Sequence, residues 1–232
     1  MNLNEIYDLI LSRSADRNDP KVLLTELLQL HNFVYGKLGS VAVKYGGGTH
    51  PKHRLTKYHD FFVDNVDSHD SVLDLGCGRG DVTYDVAKKT DGKVVGIEMN
   101  HLNLGFARTA YRRDNLFFVN GDIRKELSVE HFDVVIMSNV LEHLGNRVEL
   151  LKSIVAKTTP KKVLLRVPYF EREWTVAMKK ELGVAYFLDS THKIEYTQPE
   201  FFAEMEASGL KIESMKVNWG EIWAVCRLRG SN

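Results

Sequence analysis

Short apolar runs alternate with amphipathic segments along the middle of the chain. The runs predict five strands, at residues 71–75, 93–97, 116–119, 133–138 and 162–167. Three of the intervening segments have apolar residues at helical spacing, at 81–89, 102–113 and 147–157. The run at 134–137 is apolar throughout, as in a strand that a parallel sheet buries on both faces. The alternation of strands and helices predicts an α/β fold with a doubly wound, mostly parallel sheet.

The residues before this sheet have a helical pattern and no strand signal. Asp19 and Pro20 predict a helix start, because Asp is a good helix cap and Pro is favoured in the first turn. Apolar residues at helical spacing follow, and Gly39 predicts the end of this helix. A glycine-rich linker comes next. We expect a helical extension and basic linker at 1–57 ahead of a main domain at 58–232.

The C-terminal part predicts an antiparallel addition to the sheet. Thr197 begins a capping box, which opens a helix that ends at Gly209. Two strands, at 211–219 and 221–228, then form a hairpin. We expect this hairpin to extend the parallel sheet at one edge.

A glycine-rich turn follows the first predicted strand. Gly76, Gly78 and Gly80 alternate with other residues between the strand and the next helix. Such glycines let the backbone approach a ligand at the carboxyl end of a strand. Dinucleotide-binding turns have the spacing G-x-G-x-x-G, whereas here the third glycine comes one position early and Asp81 takes its place. Asp74, just before the turn, would repel a pyrophosphate and attract a ligand that carries an ammonium and a sulfonium.

Two further acidic residues follow the next two strands. Asp74, Glu98 and Asp122 are spaced 24 positions apart, one strand–helix unit per step. Three neighbouring parallel strands would therefore present three carboxylates at one sheet edge. We expect Glu98 to bind ribose hydroxyls and Asp122 to accept a hydrogen bond from an adenine amino group. Met99 and Ile123, which directly follow these acids, are placed to sandwich a flat base.

These features resemble the class I S-adenosylmethionine-dependent methyltransferases. The first acid and the glycine turn look like that family's first motif, D-x-G-x-G-x-G. Glu98 and residues 121–123 match its second and third acidic positions, and residues 132–144 resemble its fourth strand and following turn. Residues 192–201 look like the C-terminal helix entry of its small-molecule branch. The resemblance covers about 58–228.

The resemblance implies S-adenosyl-L-methionine as cofactor and a Rossmann-like sheet of order 3-2-1-4-5-7-6 with strand 7 antiparallel. It implies that the cofactor binds through the turn, the strand ends and the segment after the fourth strand. These residues are Asp74, Gly76, Cys77, Gly78, Gly80, Glu98, Met99, Asp122, Ile123 and Asn139. Cys77 holds a variable position of the motif, so we expect its side chain to pack and not to act as a nucleophile.

Two histidines are candidate catalytic residues for methyl transfer to an oxygen or nitrogen atom. A general base is needed only if the acceptor is protonated. His143 lies in the turn after the fourth strand, where the alternative is a packing or capping role. His192 lies in the aromatic segment 168–196, which is too long for a plain connection and predicts a substrate wall or lid; the alternative is a cover for the sheet edge. Arg166 has two interpretations: it binds an anionic acceptor, or it pairs with a nearby acid.

A basic window precedes the main domain. Residues 27–59 contain no Asp or Glu. In the family that the motifs resemble, residues just before the first strand often close over the cofactor and hold its carboxylate. The resemblance therefore implies Arg54 as the first candidate for this role and His53 as the second. The alternatives are a phosphate- or carboxylate-bearing substrate held by Lys52 and Arg54, or a solvated basic loop. The histidine spacing in this window matches no usual metal site, and we predict no metal.

Composition narrows the class of protein and of partner. The chain has 232 residues with 31 Lys+Arg and 31 Asp+Glu, a balance that argues against nucleic acid as the main partner. Its two cysteines form no disulfide framework, its first ten residues do not look like a secretory signal, and no apolar run approaches the ~18 residues of a membrane span. We therefore expect a cytoplasmic protein, with its oligomeric state left open.

The favoured function is methylation of a small-molecule acceptor, either a small polar metabolite or a lipid- or sugar-linked intermediate. The alternatives are an RNA methyltransferase, supported by the basic window, and a cofactor-binding module without turnover. A dinucleotide-dependent dehydrogenase is disfavoured by the early third glycine and by Asp74.

Overall fold

The computed structural model describes residues 19–125 and 130–229, together with five separate positions nearer the N-terminus. Its contacts divide the chain into two units, which we describe separately. The first comprises residues 1–55 and 171–188, and the second comprises 56–170 and 189–232. The division expected after residue 57 stays a prediction.

Helices and strands alternate through most of the described chain. In order they are α1 Pro20–Tyr45, α2 Lys52–Thr56, α3 Tyr58–Asp64, β1 Val72–Leu75, α4 Asp81–Lys89, β2 Val94–Glu98, α5 His101–Ala110, β3 Leu116–Asn120, β4 Val134–Ser138, a 3₁₀ turn Leu141–His143, α6 Arg147–Thr158, β5 Lys162–Pro168, a second 3₁₀ turn Phe170–Arg172, α7 Trp174–Glu181, α8 Gln198–Ala207, β6 Leu210–Asn218 and β7 Glu221–Leu228. Within the described ranges, no helix has the length and apolar character needed to cross a membrane.

Helix α1 begins where the sequence predicts and ends later. The Asp19 side chain accepts a hydrogen bond from the N–H of Lys21 at 2.8 Å, and Pro20 lies in the first turn. The predicted end at Gly39 is wrong, because this glycine does not adopt a positive φ and the helix continues through it. The chain turns only near Gly47, where φ reaches 64°.

The first unit also contains α7 and the residues around it. The Asn32 side-chain amide in α1 donates to the carbonyl oxygen of Ala185 at 2.6 Å. The Nζ atom of Lys179 in α7 lies 3.0 Å from Nδ1 of His31. Much of the segment predicted to be a substrate wall or lid therefore packs with α1, and that predicted role remains untested.

The second unit is built on one seven-stranded sheet. Its order is β3-β2-β1-β4-β5-β7-β6. The pairs from β3 through β5 are parallel, whereas β7 is antiparallel to both β5 and β6. This arrangement confirms the predicted Rossmann-like fold, its strand order and its antiparallel strand 7.

The predicted strand bounds agree with the observed ones to within one residue. The end of helix α5 differs from its prediction by more than the strand ends do. The helix ends at Ala110, whereas the pattern predicts 102–113. Tyr111 leaves the helix with φ −125° and ψ 125°. Its hydroxyl donates to Asp81 Oδ1 at 2.7 Å, so a tertiary hydrogen bond accompanies the end of the helix.

Helices cover both faces of the sheet and form two apolar clusters. One face packs α3, α4 and α5 against alternate strand residues, including Phe62, Val86, Ala107, Val72, Val94, Val134 and Leu164. On the other face, α6 and α8 pack against the remaining strand residues, which alternate with those of the first face. This cluster includes Ile154, Phe201, Met205, Leu73, Val95, Val135 and Leu165. This burial on both faces explains why the parallel strands are almost continuously apolar.

The predicted capping box is present at the start of α8. The Thr197 hydroxyl receives a hydrogen bond from the N–H of Glu200, and the Glu200 carboxylate accepts from the N–H of Thr197 at 2.9 Å. The hairpin that follows turns at Trp219 and Gly220, both with positive φ. It supplies β6 and β7 to the sheet edge, as predicted.

Arg166 in β5 forms an ion pair with Glu221 in the neighbouring strand β7. Its Nε and Nη2 atoms donate to the two carboxylate oxygens of Glu221 at 2.5 and 2.6 Å. The guanidinium also lies over the ring of Tyr58, 3.7 Å from the ring centre. Of the two interpretations of Arg166, the structure shows the pairing with a nearby acid.

The Arg166–Glu221 pair gives a test of how β5 and β7 are held together. Arg166→Met is expected to lower the free energy of unfolding by about 3–5 kcal/mol, because a largely buried carboxylate loses its cation. The double variant Arg166→Met with Glu221→Gln is expected to recover a large part of that loss. Urea unfolding measures both, and a double variant no more stable than the single one would contradict this account.

Candidate functional site

Backbone hydrogen bonds bring the ends of β1, β2 and β3 together. The N–H groups of Gly76 and Cys77 donate to the carbonyl oxygen of Ile97 at 2.8 and 3.0 Å, and the N–H of Gly121 donates to that of Glu98 at 3.1 Å. The turn after β1 therefore lies against the end of β2, and the loop after β3 lies on its other side. The ends of the three strands that precede or carry Asp74, Glu98 and Asp122 therefore lie side by side.

The three glycines of the turn have different surroundings. All have positive φ, at 73° for Gly76, 57° for Gly78 and 82° for Gly80. A Cβ atom would lie 2.8 Å from Val140 Cγ2 at Gly76 and 2.6 Å from the Phe118 ring at Gly80, whereas at Gly78 it would meet nothing within 4 Å. The turn is thus packed at both ends and open at its centre, where a ligand can approach the backbone.

Asp74 lies behind the turn. Its side chain is 2% exposed and accepts a hydrogen bond from the Thr83 hydroxyl at 2.7 Å. Burial raises the pKa of this carboxyl to about 6; the Thr83 hydrogen bond and His59 oppose the rise, and the nearby Glu98 charge adds to it. The predicted role of Asp74 toward a bound cation stays a prediction.

Glu98 links the turn to the end of β2. Its carboxylate accepts hydrogen bonds from the N–H of Gly78 at 2.9 Å and from the N–H of Asn100 at 2.6 Å. The adjacent Met99 side chain is 55% exposed, so its apolar surface is available for stacking. The structure therefore brings Glu98 to the open part of the turn, and its contact with a ribose stays a prediction.

Asp122 is held by its neighbour Arg124. The guanidinium donates to both carboxylate oxygens, at 2.8 and 2.7 Å, and these hydrogen bonds lower the pKa of Asp122 to about 2. Ile123 between them is buried in the apolar core. An adenine amino group would therefore share Asp122 with Arg124, and the predicted base-binding roles of Asp122 and Ile123 remain predictions.

Asn139 carries an unsatisfied polar atom beside the turn. It has φ 55°, and its N–H donates to the carbonyl oxygen of Arg166 at 2.7 Å. Its Oδ1 is buried and has no hydrogen-bond partner in the part of the chain that the structure describes. The next residue, Val140, packs against Gly76. A buried orphan acceptor at this position favours a bound polar group.

Cys77 is partly buried in the turn. Burial and the charges of Asp74 and Glu98 raise the pKa of its thiol well above the usual range. Such a thiol is not a ready nucleophile. This agrees with the packing role expected from the sequence.

The two candidate catalytic histidines lie next to each other. The rings of His143 and His192 meet edge to face, with centres 4.7 Å apart. Glu142 adjoins them, fully buried, and burial raises the pKa of its carboxyl to about 7. Glu142 lies within residues 132–144, which resemble the family's fourth strand and following turn, and no local signal in the sequence joins it to His192.

Arg54 lies in the first unit, exposed in helix α2. The strand ends, the glycine turn and the two candidate histidines all belong to the second unit. The predicted contact of Arg54 with the cofactor stays a prediction.

The family to which the chain belongs is decided by a direct match. A family described as a methyltransferase domain matches residues 66–208, which is more than half of the chain. The chain belongs to this methyltransferase family. It is an S-adenosylmethionine-dependent methyltransferase, as the resemblance of its motifs implied. No curated protein matches it by sequence.

Several solved structures of other proteins share the fold of this methyltransferase. A chain from the complex between the Haloferax volcanii Trm112 methyltransferase activator and a methyltransferase matches with TM-score 0.65 and 15% identity, covering 86% of this chain and 99% of that one. The small RNA methyltransferase HEN1 matches with TM-score 0.61 and 16% identity, over 76% of this chain and 25% of that one. The mitomycin 7-O-methyltransferase MmcR matches with TM-score 0.61 and 18% identity, over 90% and 69%. At these identities the likeness shows the fold alone.

The open centre of the glycine turn gives a test of cofactor binding. Gly78→Leu is expected to leave the methyltransferase folded, with a loss of about 1–2 kcal/mol from the positive φ, and to abolish measurable S-adenosylmethionine binding in calorimetry. Gly209→Leu is the matched control, because Gly209 also has a positive φ, of 77°, and a Cβ there would likewise meet nothing within 4 Å. It is expected to lose similar stability and to bind the cofactor like the wild type. A Gly78→Leu variant that binds the cofactor like the wild type would place the site elsewhere.

The raised pKa of Asp74 predicts a pH-dependent stability. Between pH 4 and 6 the folded state binds more protons than the unfolded state, so this group's contribution to stability is lost as the pH rises through about 6. Asp74→Asn is therefore expected to be more stable than the wild type at pH 8, by up to about 3 kcal/mol, and nearly equal to it at pH 4. Urea unfolding at the two pH values measures this, and a difference that does not change with pH would contradict it.

Proposed function

We propose that this methyltransferase modifies an oxygen or nitrogen atom of a small polar acceptor that carries an anionic group. The observation that carries the proposal is a cleft of about 420 Å³ in the second unit, within the range of roughly 300–1,000 Å³ usual for small-molecule sites. The cleft is lined by Arg124, Lys125, Leu144, Gly145, Asn146, Glu149, Leu150, Ser153 and Lys193.

The charges of this cleft favour an anion. Arg124, Lys125 and Lys193 are basic, and Glu149 is the one acid among the lining residues. Basic side chains that converge on one cleft bind carboxylate or phosphate groups through charge-assisted hydrogen bonds. Because Arg124 also pairs with Asp122, the cleft adjoins the end of β3.

The cofactor lies, in this proposal, across the glycine turn. The open backbone at Gly78 and the orphan Oδ1 of Asn139 fit a bound polar ligand, and Glu98 and Asp122 supply carboxylates at the next two strand ends. Met99 offers an apolar surface to the base. When bound, S-adenosylmethionine supplies an electrophilic methyl group on a sulfonium.

His143 and His192 are proposed to form the wall against which the acceptor is oriented. The residues that follow them, Leu144 and Lys193, line the cleft. The N–H of Lys193 donates to the carbonyl oxygen of Glu142 at 2.7 Å, which holds the two segments together. Orientation of two reactants supplies on the order of 7–11 kcal/mol, so a fixed wall is the main contribution required of these residues.

The second candidate function is methylation of RNA. The basic window at 27–59, which has no acid, and the fold shared with HEN1 favour it. The balance of 31 basic and 31 acidic residues over the whole chain favours a small acceptor instead.

We also propose a cytoplasmic location, since the two free cysteines suit a reducing compartment.

The acceptor class is tested by following a labelled methyl group. The full chain, with radiolabelled S-adenosylmethionine, is expected to label material in the low-molecular-weight fraction of a cell extract and not in its RNA. Passing that fraction over an anion-exchange resin is expected to remove the acceptor, because the cleft is basic. Label found only in RNA would establish the second candidate, and no label in either fraction would favour a module without turnover.

Two lysine variants serve as matched controls for the role of the cleft. Lys193→Ala is expected to raise KM for the acceptor with a smaller effect on kcat, because it removes charge from the cleft wall. Lys211→Ala, at an exposed position of β6, is expected to leave both constants unchanged. If the two substitutions have equal effects on KM, the cleft does not bind the acceptor.

A further inference from the structure

Glu142, His143 and His192 form a cluster of potential metal ligands. One ligand atom from each lies within 4.8 Å of the other two. Glu142 and His143 are neighbours in the 3₁₀ turn after β4, and His192 comes from the segment that leads to α8. The backbone hydrogen bond from Lys193 to Glu142 fixes one segment against the other.

The hydrogen bonds of the two imidazoles assign their tautomers. His192 Nδ1 lies 3.0 Å from Oε1 of Glu195, whose side chain is fully buried. His143 Nδ1 lies 2.8 Å from the Thr191 hydroxyl, and that hydroxyl donates its proton to Asp189 at 2.7 Å. Each Nδ1 is therefore a donor, so each neutral ring carries its lone pair on Nε2.

These outer contacts are those that metal-binding histidines commonly make. A ligating histidine usually donates its second ring N–H to a carboxylate, a carbonyl or another polar group, which orients the ring and raises its basicity. Glu195 has this relation to His192 directly, and Asp189 has it to His143 through Thr191. The arrangement is thus prepared for ligation at Nε2.

Glu142 supplies the independent observation that points to a ligand. Its side chain is 0% exposed, and neither carboxylate oxygen has a hydrogen-bond partner among the residues that the structure describes. A buried carboxylate without a partner is costly, and coordination of a cation removes that cost. The two imidazoles beside it are the ligands that extend such a site beyond a single acid.

We propose that Glu142, His143 and His192 bind one divalent first-row transition-metal ion. Two imidazoles and one carboxylate are a donor set typical of Zn²⁺, Fe²⁺ and Mn²⁺, and three protein ligands leave coordination positions for other oxygen atoms. The proposal rests on the proposed function in one respect, that the acceptor occupies those positions. An ion there would hold an acceptor oxygen and lower the pKa of its hydroxyl group.

The experiment titrates ZnCl₂ and, separately, MnCl₂ into the full chain after removal of metal by a chelator. Calorimetry is expected to show one ion bound per chain for at least one of these salts, and thermal unfolding is expected to move to higher temperature with metal. Glu142→Gln, which removes the buried charge and keeps the shape, is expected to weaken binding at least tenfold and to reduce the thermal shift accordingly. His69→Gln, at an exposed histidine outside the cluster, is the matched control and is expected to bind like the wild type.

Three results would overturn the proposal: no binding at one ion per chain, unchanged affinity in Glu142→Gln, or an equal loss in His69→Gln. If Glu142→Gln fails to fold, His143→Gln in the more exposed part of the turn takes its place. The visible d–d bands of bound Co²⁺ are then expected in the wild type and are expected to be weaker in His143→Gln, and bands of equal strength in the two proteins would overturn the proposal. A chain that methylates small acceptors without binding metal would overturn this inference alone, whereas a chain that binds metal and labels only RNA would overturn the proposed acceptor alone.

Discussion

The hydrogen bonds between the glycine turn and the end of β2 are the constraint on which the site depends. Two consecutive N–H groups, of Gly76 and Cys77, donate to the same carbonyl oxygen of Ile97. The carboxylate of Glu98 then accepts from Gly78, so the turn is fastened by backbone and by side chain. Of the three glycines in the turn, only Gly78 has open space beside its backbone. Since neighbouring parallel strands end together, the carboxyl edge of the sheet becomes the place where a ligand meets bare backbone.

Much of the fold follows from local patterns. The central strands could be predicted because their apolar runs are buried on both faces, and the turn because its glycines need positive φ. Gly39 shows the limit, since a glycine inside a helix costs only about 1 kcal/mol and does not have to end it. Tyr111 shows another, because its hydrogen bond to Asp81 is a tertiary contact that no local pattern contains.

The chemistry of the site was less accessible to sequence than its location. Asp74 has the position that the motif requires, yet its carboxylate is buried against Thr83, a partner nine residues away. Glu142 carries no spacing signal that joins it to His192, because the fold alone brings these segments together. The sequence predicts no metal, because its histidine spacing at 27–59 matches no usual site, whereas the structure brings three potential ligand side chains together near the end of β4. Function here depends on juxtapositions created by β4 and by the segment before α8.

The central claim is that the glycine turn and the adjoining strand ends hold the cofactor. A crystal structure of the full chain with S-adenosylhomocysteine tests it most directly. The account predicts the ligand across the outer face of Gly78, with its ribose hydroxyls within hydrogen-bond distance of Glu98 and its base beside Met99. A ligand bound elsewhere, with the turn left uncovered, would contradict it.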